Sequence, residues 1–306
     1  MISNHKLFYE VTIMFLFFTP YTFFFIFFYF LFLLFMFSCS NFVVFWVFIE
    51  FMMLIFMGIS YTLFLNNFSS LMLYFLLQTI SSFSILLFYL YPIPLMFSLF
   101  LTMKLSMFPF HFWFLNICYR FPNFVLYLAS SFHKIPIFFI LLLFLPPLRI
   151  TFIIVSTILT VLISGFMIIR SIDFRGILVS SSVGNNSWFL IRSILDIFSF
   201  CLFFLTYSFF LYLVFSELSV FTKPIVNAPS KPIYNLFYYI TFIRGLPPFP
   251  VFFTKMFILF SLFIKFGLTI YLGLFIFSSC LILVGYIYSM AKYFTHIFSS
   301  QSLYLL

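Results

Sequence analysis

Four ionisable residues stand inside long apolar runs: Glu50, Lys104, Lys134 and Lys255. Near the centre of a membrane-spanning helix such a charge costs about 2.5–3.5 kcal/mol on insertion scales, so it marks an ion or proton pathway by default. Burial disfavours the ammonium form of a lysine, and a nearby carboxylate favours it. A glutamate beside a lysine is therefore a tunable proton holder. Glu50 and Lys104 form such a pair if packing joins their helices, and Lys134 and Lys255 can pass a proton sideways through bound water. His111 and His133 are candidate relay members, because imidazole titrates near neutrality. For His111, packing with a hydrogen bond is an equally good reading. Gln78, Ser81 and Ser82 are suited to hydrogen bonds between helices. Lys265 is read as interfacial, its stem along lipid and its head in water.

The elements that must hold these residues are apolar helices. Lys104 opens the run Lys-Leu-Ser-Met-Phe-Pro-Phe-His-Phe-Trp, inside a segment at about 95–117 that is long enough to cross roughly 30 Å of hydrocarbon. Pro109 lacks the N–H that the helical ladder needs and clashes with the preceding turn, which predicts a bend or break there. A second run, Arg244-Gly-Leu-Pro-Pro-Phe-Pro250, carries Pro247 and Pro248 and interrupts the segment that leads to Lys255. Hydropathy places about ten spans, at about 11–37, 42–65, 71–91, 95–117, 124–145, 150–169, 176–191, 196–215, 233–262 and 266–290. The seventh is less apolar, with Ser180, Ser181, Ser182, Asn185, Asn186 and Ser187 turned toward something other than lipid. No extramembrane domain is left over, so residues 1–306 read as a single transmembrane domain. Each half, about 11–145 and about 150–290, holds five spans with a proline-broken fourth, the layout of inverted repeats in transporters.

The composition agrees. With 66% hydrophobic residues, 6% charged and a mean hydropathy of +1.29, the chain is an all-α polytopic membrane protein and not a water-soluble monomer. The net charge of +9 comes from 14 Lys and Arg against 5 Asp and Glu, and most of the basic residues fall between apolar runs, where they set topology. Lys6, Arg120, Arg170, Arg175, Lys223, Lys231 and Lys292 fall on one face, against Arg149, Arg192 and Lys265 on the other. Both termini are thus expected on the inner side. The sequence has no basic cluster interleaved with exposed aromatics, which argues against nucleic acid. Cys39, Cys118, Cys201 and Cys280 are isolated, without metal-ligand or disulfide spacing. Phosphate loops and nucleophile triads are absent from the sequence too. Phenylalanine occurs 60 times and alanine only at Ala129, Ala228 and Ala291, a bias expected of an A+T-rich genome such as many organellar ones.

Several segments resemble one family in the same order. They are Trp46-Val-Phe-Ile-Glu50, Tyr74-Phe-Leu-Leu-Gln78, the Lys104–Trp113 run, His133-Lys-Ile-Pro136, Ser180-Ser-Ser-Val with Trp188, and Gly245-Leu-Pro-Pro248 with Lys255. The set is similar to NADH dehydrogenase subunit 2, the antiporter-like membrane subunit of mitochondrial respiratory complex I. The resemblance implies two inverted five-helix repeats and a proton-translocating role within NADH:ubiquinone reductase. Glu50 matches the family's helix-embedded glutamate, Lys104 and Lys255 the lysines of the two broken helices, and Lys134 the central-axis lysine. It also implies other membrane-arm and redox subunits as partners, with flavin, iron–sulfur clusters and quinone held by them and no cofactor or redox chemistry on this chain. The implied location is the mitochondrial inner membrane, with an organelle-encoded chain and both termini on the matrix side. A stand-alone cation/proton antiporter and a non-conducting scaffold are the other expectations. The chain departs from the pattern at Ser106, where glycine is usual, at Arg244 and Pro250-Val251, and at Asn116 and Asn185, which replace a glutamate and a histidine.

Overall fold

The computed structural model describes residues 20–63, 68–144, 148–171, 174–195, 197–221, 238–239, 250–266 and 270–303. The regular structure among them is helical, without strands. In chain order the helices are α1 (Pro20–Met36), α2 (Phe42–Leu63), α3 (Phe68–Leu90), α4 (Pro94–Lys104), α5 (His111–Cys118) and α6 (Asn123–Ser130). A 3-10 turn (Phe132–Lys134) leads into α7 (Ile135–Leu143). Then follow α8 (Ile150–Arg170), α9 (Phe174–Leu195), α10 (Ile197–Phe221), α11 (Pro250–Phe266) and α12 (Ile270–Leu303). Five segments among the described residues are long and apolar enough to cross a membrane, and shorter apolar helices accompany them. The protein is a polytopic all-α membrane protein.

The chain divides into two compact units. One comprises Met1–Lys104 and Asn116–Pro147, the other Leu105–Leu115 and Leu148–Leu306. In the first unit, α2 shows how an almost wholly apolar helix still acquires an inner face. Phe45, Ile49, Met52, Phe56 and Ile59 are buried at alternating spacings of four and three, while Val43, Val47, Phe51 and Leu54 are exposed. One stripe packs on neighbouring helices and the other suits acyl chains.

In the second unit the least apolar helix is the most enclosed. Residues 177–190 of α9 are all buried, including Ser180, Ser181, Ser182, Asn185, Asn186 and Ser187. The serine hydroxyls return to carbonyls three or four residues earlier in the same helix, as Ser180, Ser181 and Ser182 do at 2.8 Å. Small residues let its neighbours approach closely. A Cβ placed on Gly184 of α9 would lie 2.5 Å from Ser164 Oγ of α8, and one on Gly285 of α12 would lie 3.0 Å from Ile169 and 3.4 Å from the Gly165 carbonyl. Close contact through small residues is how helices associate where no water drives them together.

The fourth span has the interruption expected at Pro109, whereas two other details differ from the sequence expectation. The fourth span stops at Lys104, ahead of Pro109, and resumes at His111. The reason is that a helical proline withdraws its hydrogen bond from the carbonyl four residues before it and crowds that carbonyl. For Pro109 this is Leu105. The fifth span is also interrupted, at Ser131–Lys134, just before Pro136. The same rule applies: the Phe132 carbonyl lies four residues before Pro136 and instead accepts from the Ile135 N–H in a 3-10 turn. In addition, α12 continues to Leu303, past the end expected near 290. Arg244, Pro247 and Pro248, the expected second break, lie outside the described residues.

Candidate functional site

In the first unit Glu50 sits eight residues into α2, about 12 Å along the helix. Its carboxylate accepts a hydrogen bond from Ser82 Oγ of α3. One turn earlier on α2, Trp46 donates its Nε1–H to the Ser82 carbonyl at 3.0 Å. Two residues spaced by one turn thus grip a single serine, which fixes the rotation of α2 against α3.

Lys104 is only 5% exposed and ends α4. A helix C-terminus carries partial negative charge on its unpaired carbonyls, so an ammonium is better placed there than in mid-helix. Gln78, one turn before Ser82 on α3, directs Nε2 toward the Lys104 carbonyl at 3.4 Å. One edge of α3 therefore meets both the carboxylate and the end of the lysine's helix.

Lys134 and His133 stand in the 3-10 turn, both buried. The His133 ring packs near Phe56 (centroids 4.8 Å apart) and Tyr74 (5.9 Å). The first unit thus carries a half-buried Glu50 together with the buried Lys104, His133 and Lys134, and α3 reaches the first through Ser82 and the helix end of the second through Gln78.

In the second unit Lys255, on α11, holds its ammonium 5.6 Å from the centroid of the Trp188 ring on α9. This is within the roughly 6 Å at which a cation is attracted to an aromatic face. Trp188 is itself fixed edge-on against Phe275 of α12, with centroids 4.4 Å apart. One turn beyond Trp188, Arg192 is buried and donates Nη1–H to Ser261 Oγ of α11 at 3.3 Å. The sequence count had placed Arg192 on an outer face between spans; it lies instead within α9. Its membership of a helix was hidden because the apolar run fades there.

His111, the first residue of α5, is buried beside Phe112 (centroids 3.9 Å apart) and Phe108 (6.3 Å). It belongs to the second unit, whereas the Glu50, Lys104, His133 and Lys134 group belongs to the first. Of the two asparagines that depart from the family pattern, Asn185 is buried and Asn116 exposed. Sequence reasoning did not single out Ser82 as the partner of Glu50, nor Asn186. Asn186 donates Nδ2–H to the Leu105 carbonyl at 2.7 Å, inside the break of the fourth span.

No protein-family model and no curated protein matches the sequence. Solved structures do match. A chain of the Mrp complex from Dietzia sp. DQ12-45-1b aligns with a TM-score of 0.69 at 15% identity, covering 82% of this chain and 56% of its own. A chain of respiratory complex I from Thermus thermophilus aligns with a TM-score of 0.64 at 18% identity, covering 80% and 63%. A chain of the membrane-bound sulfane sulfur reductase, an archaeal respiratory membrane complex, gives 0.64 at 16% identity, covering 79% and 60%. The fold is shared with all three. This chain spans less than two thirds of the length of each of those chains.

Proposed function

We propose that the protein is a proton-translocating membrane-arm subunit of respiratory complex I, of the NADH dehydrogenase subunit 2 type. The observation that carries this reading is the half-buried Glu50 with the buried Lys104, His133 and Lys134 in one unit, Lys104 ending a helix at its break. Charges in apolar surroundings are costly, and four polar groups gathered in one unit are better matched to a proton route than to packing. Protons enter the group by changing the charge balance between Glu50 and Lys104. Lys134 receives them by way of water and His133. Lys255, steadied by Trp188, serves as the corresponding holder in the second unit. The shared fold with a chain of complex I supports this reading, as do the motif resemblances.

In this reading the ten spans form two inverted repeats in a mitochondrial inner membrane, with both termini on the matrix side. Other membrane-arm and redox subunits are the partners. Flavin, iron–sulfur clusters and quinone belong to those subunits, and this chain contributes proton transfer to NADH:ubiquinone reductase. Lys104→Ala in the assembled complex should lower the protons translocated per NADH oxidised at least fivefold. Unchanged translocation with reduced assembly would instead make the chain a scaffold. The likeness to a chain of the Mrp complex favours a second reading, cation/proton exchange by the chain itself. In that case the purified protein in liposomes should move protons in response to a sodium or potassium gradient.

A further inference from the structure

We propose that Asn186 supplies the hydrogen bond that Pro109 withdraws, and thereby holds the broken helix in the form that sets Lys104 at its end. The inference rests on the proton-translocating reading of Lys104 and adds a positioning residue to it. In an unbroken helix the N–H of residue 109 would bond to the Leu105 carbonyl, but proline has no N–H. Leu105 is fully buried, where a carbonyl left without a donor is costly, so another group must take the place of the missing N–H. Asn186 does: its Nδ2 lies 2.7 Å from the Leu105 oxygen and 3.4 Å from Ser106 Oγ, and the Ser106 hydroxyl donates to the same oxygen at 2.5 Å.

The conformation being held is not one the local sequence favours. Ser106 has φ of 56°, in the left-handed region that glycine tolerates and serine resists. A serine there persists when surrounding contacts over-determine it. Asn186 is 0% exposed and comes from the fully enclosed stretch of α9, so its amide has a fixed origin from which to hold the carbonyl. Leu105 follows Lys104 directly in the chain, so the orientation of this carbonyl fixes where α4 ends. The Gln78 contact to the neighbouring Lys104 carbonyl is longer, at 3.4 Å, and the Asn186 bond is the stronger restraint.

The test compares a variant of similar size without a donor, Asn186→Leu, with one that keeps a ring N–H near the same position, Asn186→His. Both are assayed as the assembled complex in native membrane vesicles, alongside Lys104→Ala. N186L should translocate at least fivefold fewer protons per NADH oxidised, and N186H should stay within twofold of the parent. If N186L does not assemble, Asn186→Ala replaces it in the same comparison. The proposal is overturned if N186L stays within twofold of the parent, or if N186H falls as far as N186L. It is also overturned if the drop in melting temperature caused by N186L is as large in a Pro109→Ala background, where residue 109 can again donate to Leu105. A Lys104→Ala variant that translocates normally would refute the functional reading. The melting comparison would then still decide whether the Asn186 bond exists.

Discussion

If Trp188 serves Lys255 through its aromatic face, then replacements should be ranked by that face and not by their volume. The ammonium lies 5.6 Å from the ring centroid at a half-buried position. Cation–π attraction is worth about 0.5–1 kcal/mol at exposed sites and about 2 kcal/mol when desolvated, so about 1–2 kcal/mol applies here. That is roughly a 5- to 30-fold change in the stabilisation of the charged form. Trp188→Phe keeps a weaker π face, whereas Trp188→Leu removes it. Protons translocated per NADH oxidised, normalised to assembled complex, should fall in the order Trp, Phe, Leu. Trp188→Leu also loses the edge contact with Phe275, worth about 0.5–1.5 kcal/mol, but that loss appears as stability and not in the normalised ratio. In a Lys255→Ala background the difference between Phe and Leu should vanish. Equal impairment by Phe and Leu, or a difference that survives without the lysine, would refute the reasoning.

Other outcomes follow from the packing and hydrogen bonds. Ser82→Ala removes a donor to a carboxylate, worth about 1.5–3 kcal/mol, and should lower translocation roughly 10-fold or more; the same change in a Glu50→Gln background should add little. Gly184→Ala places a methyl against Ser164 on α8 and Gly285→Ala presses on Ile168 and Ile169, each costing about 1–3 kcal/mol of overpacking, measurable as a lower melting temperature of the solubilised complex. Ser106→Gly relieves a left-handed serine and should favour the break by about 1 kcal/mol, offset in part by loss of the hydroxyl bond to Leu105. A melting temperature unchanged within error by Ser106→Gly would mean the two effects cancel, and a fall of several degrees would show that the hydroxyl outweighs the strain.

What the sequence determined is whatever is encoded within a few residues. Apolar runs of helical length gave α2, α3, α8 and α10 close to their observed ends, because hydropathy and a hydrogen bond to the fourth residue back are local properties. Charges within apolar runs named Glu50, Lys104, Lys134 and Lys255 as candidates through the cost of holding them there. Pro109 announced an interruption, and the same four-residue rule accounts for why the helices stop at Lys104 and, ahead of Pro136, at Ser130. The unusual φ of Ser106 lay behind a departure visible in the sequence, a serine where glycine is usual.

Tertiary structure alone decided which groups meet. Ser82 and Glu50 are 32 residues apart, and Asn186 and Leu105 are 81 apart. In helices apolar on every side, periodicity cannot say which face turns inward, since lipid and protein accept the same side chains. Rotation and register are fixed by close approach at small residues such as Gly165, Gly184 and Gly285 and by sparse polar bonds such as Trp46 to Ser82. The interior place of Arg192 and the bond of Asn186 to Leu105 became visible only once that packing was known.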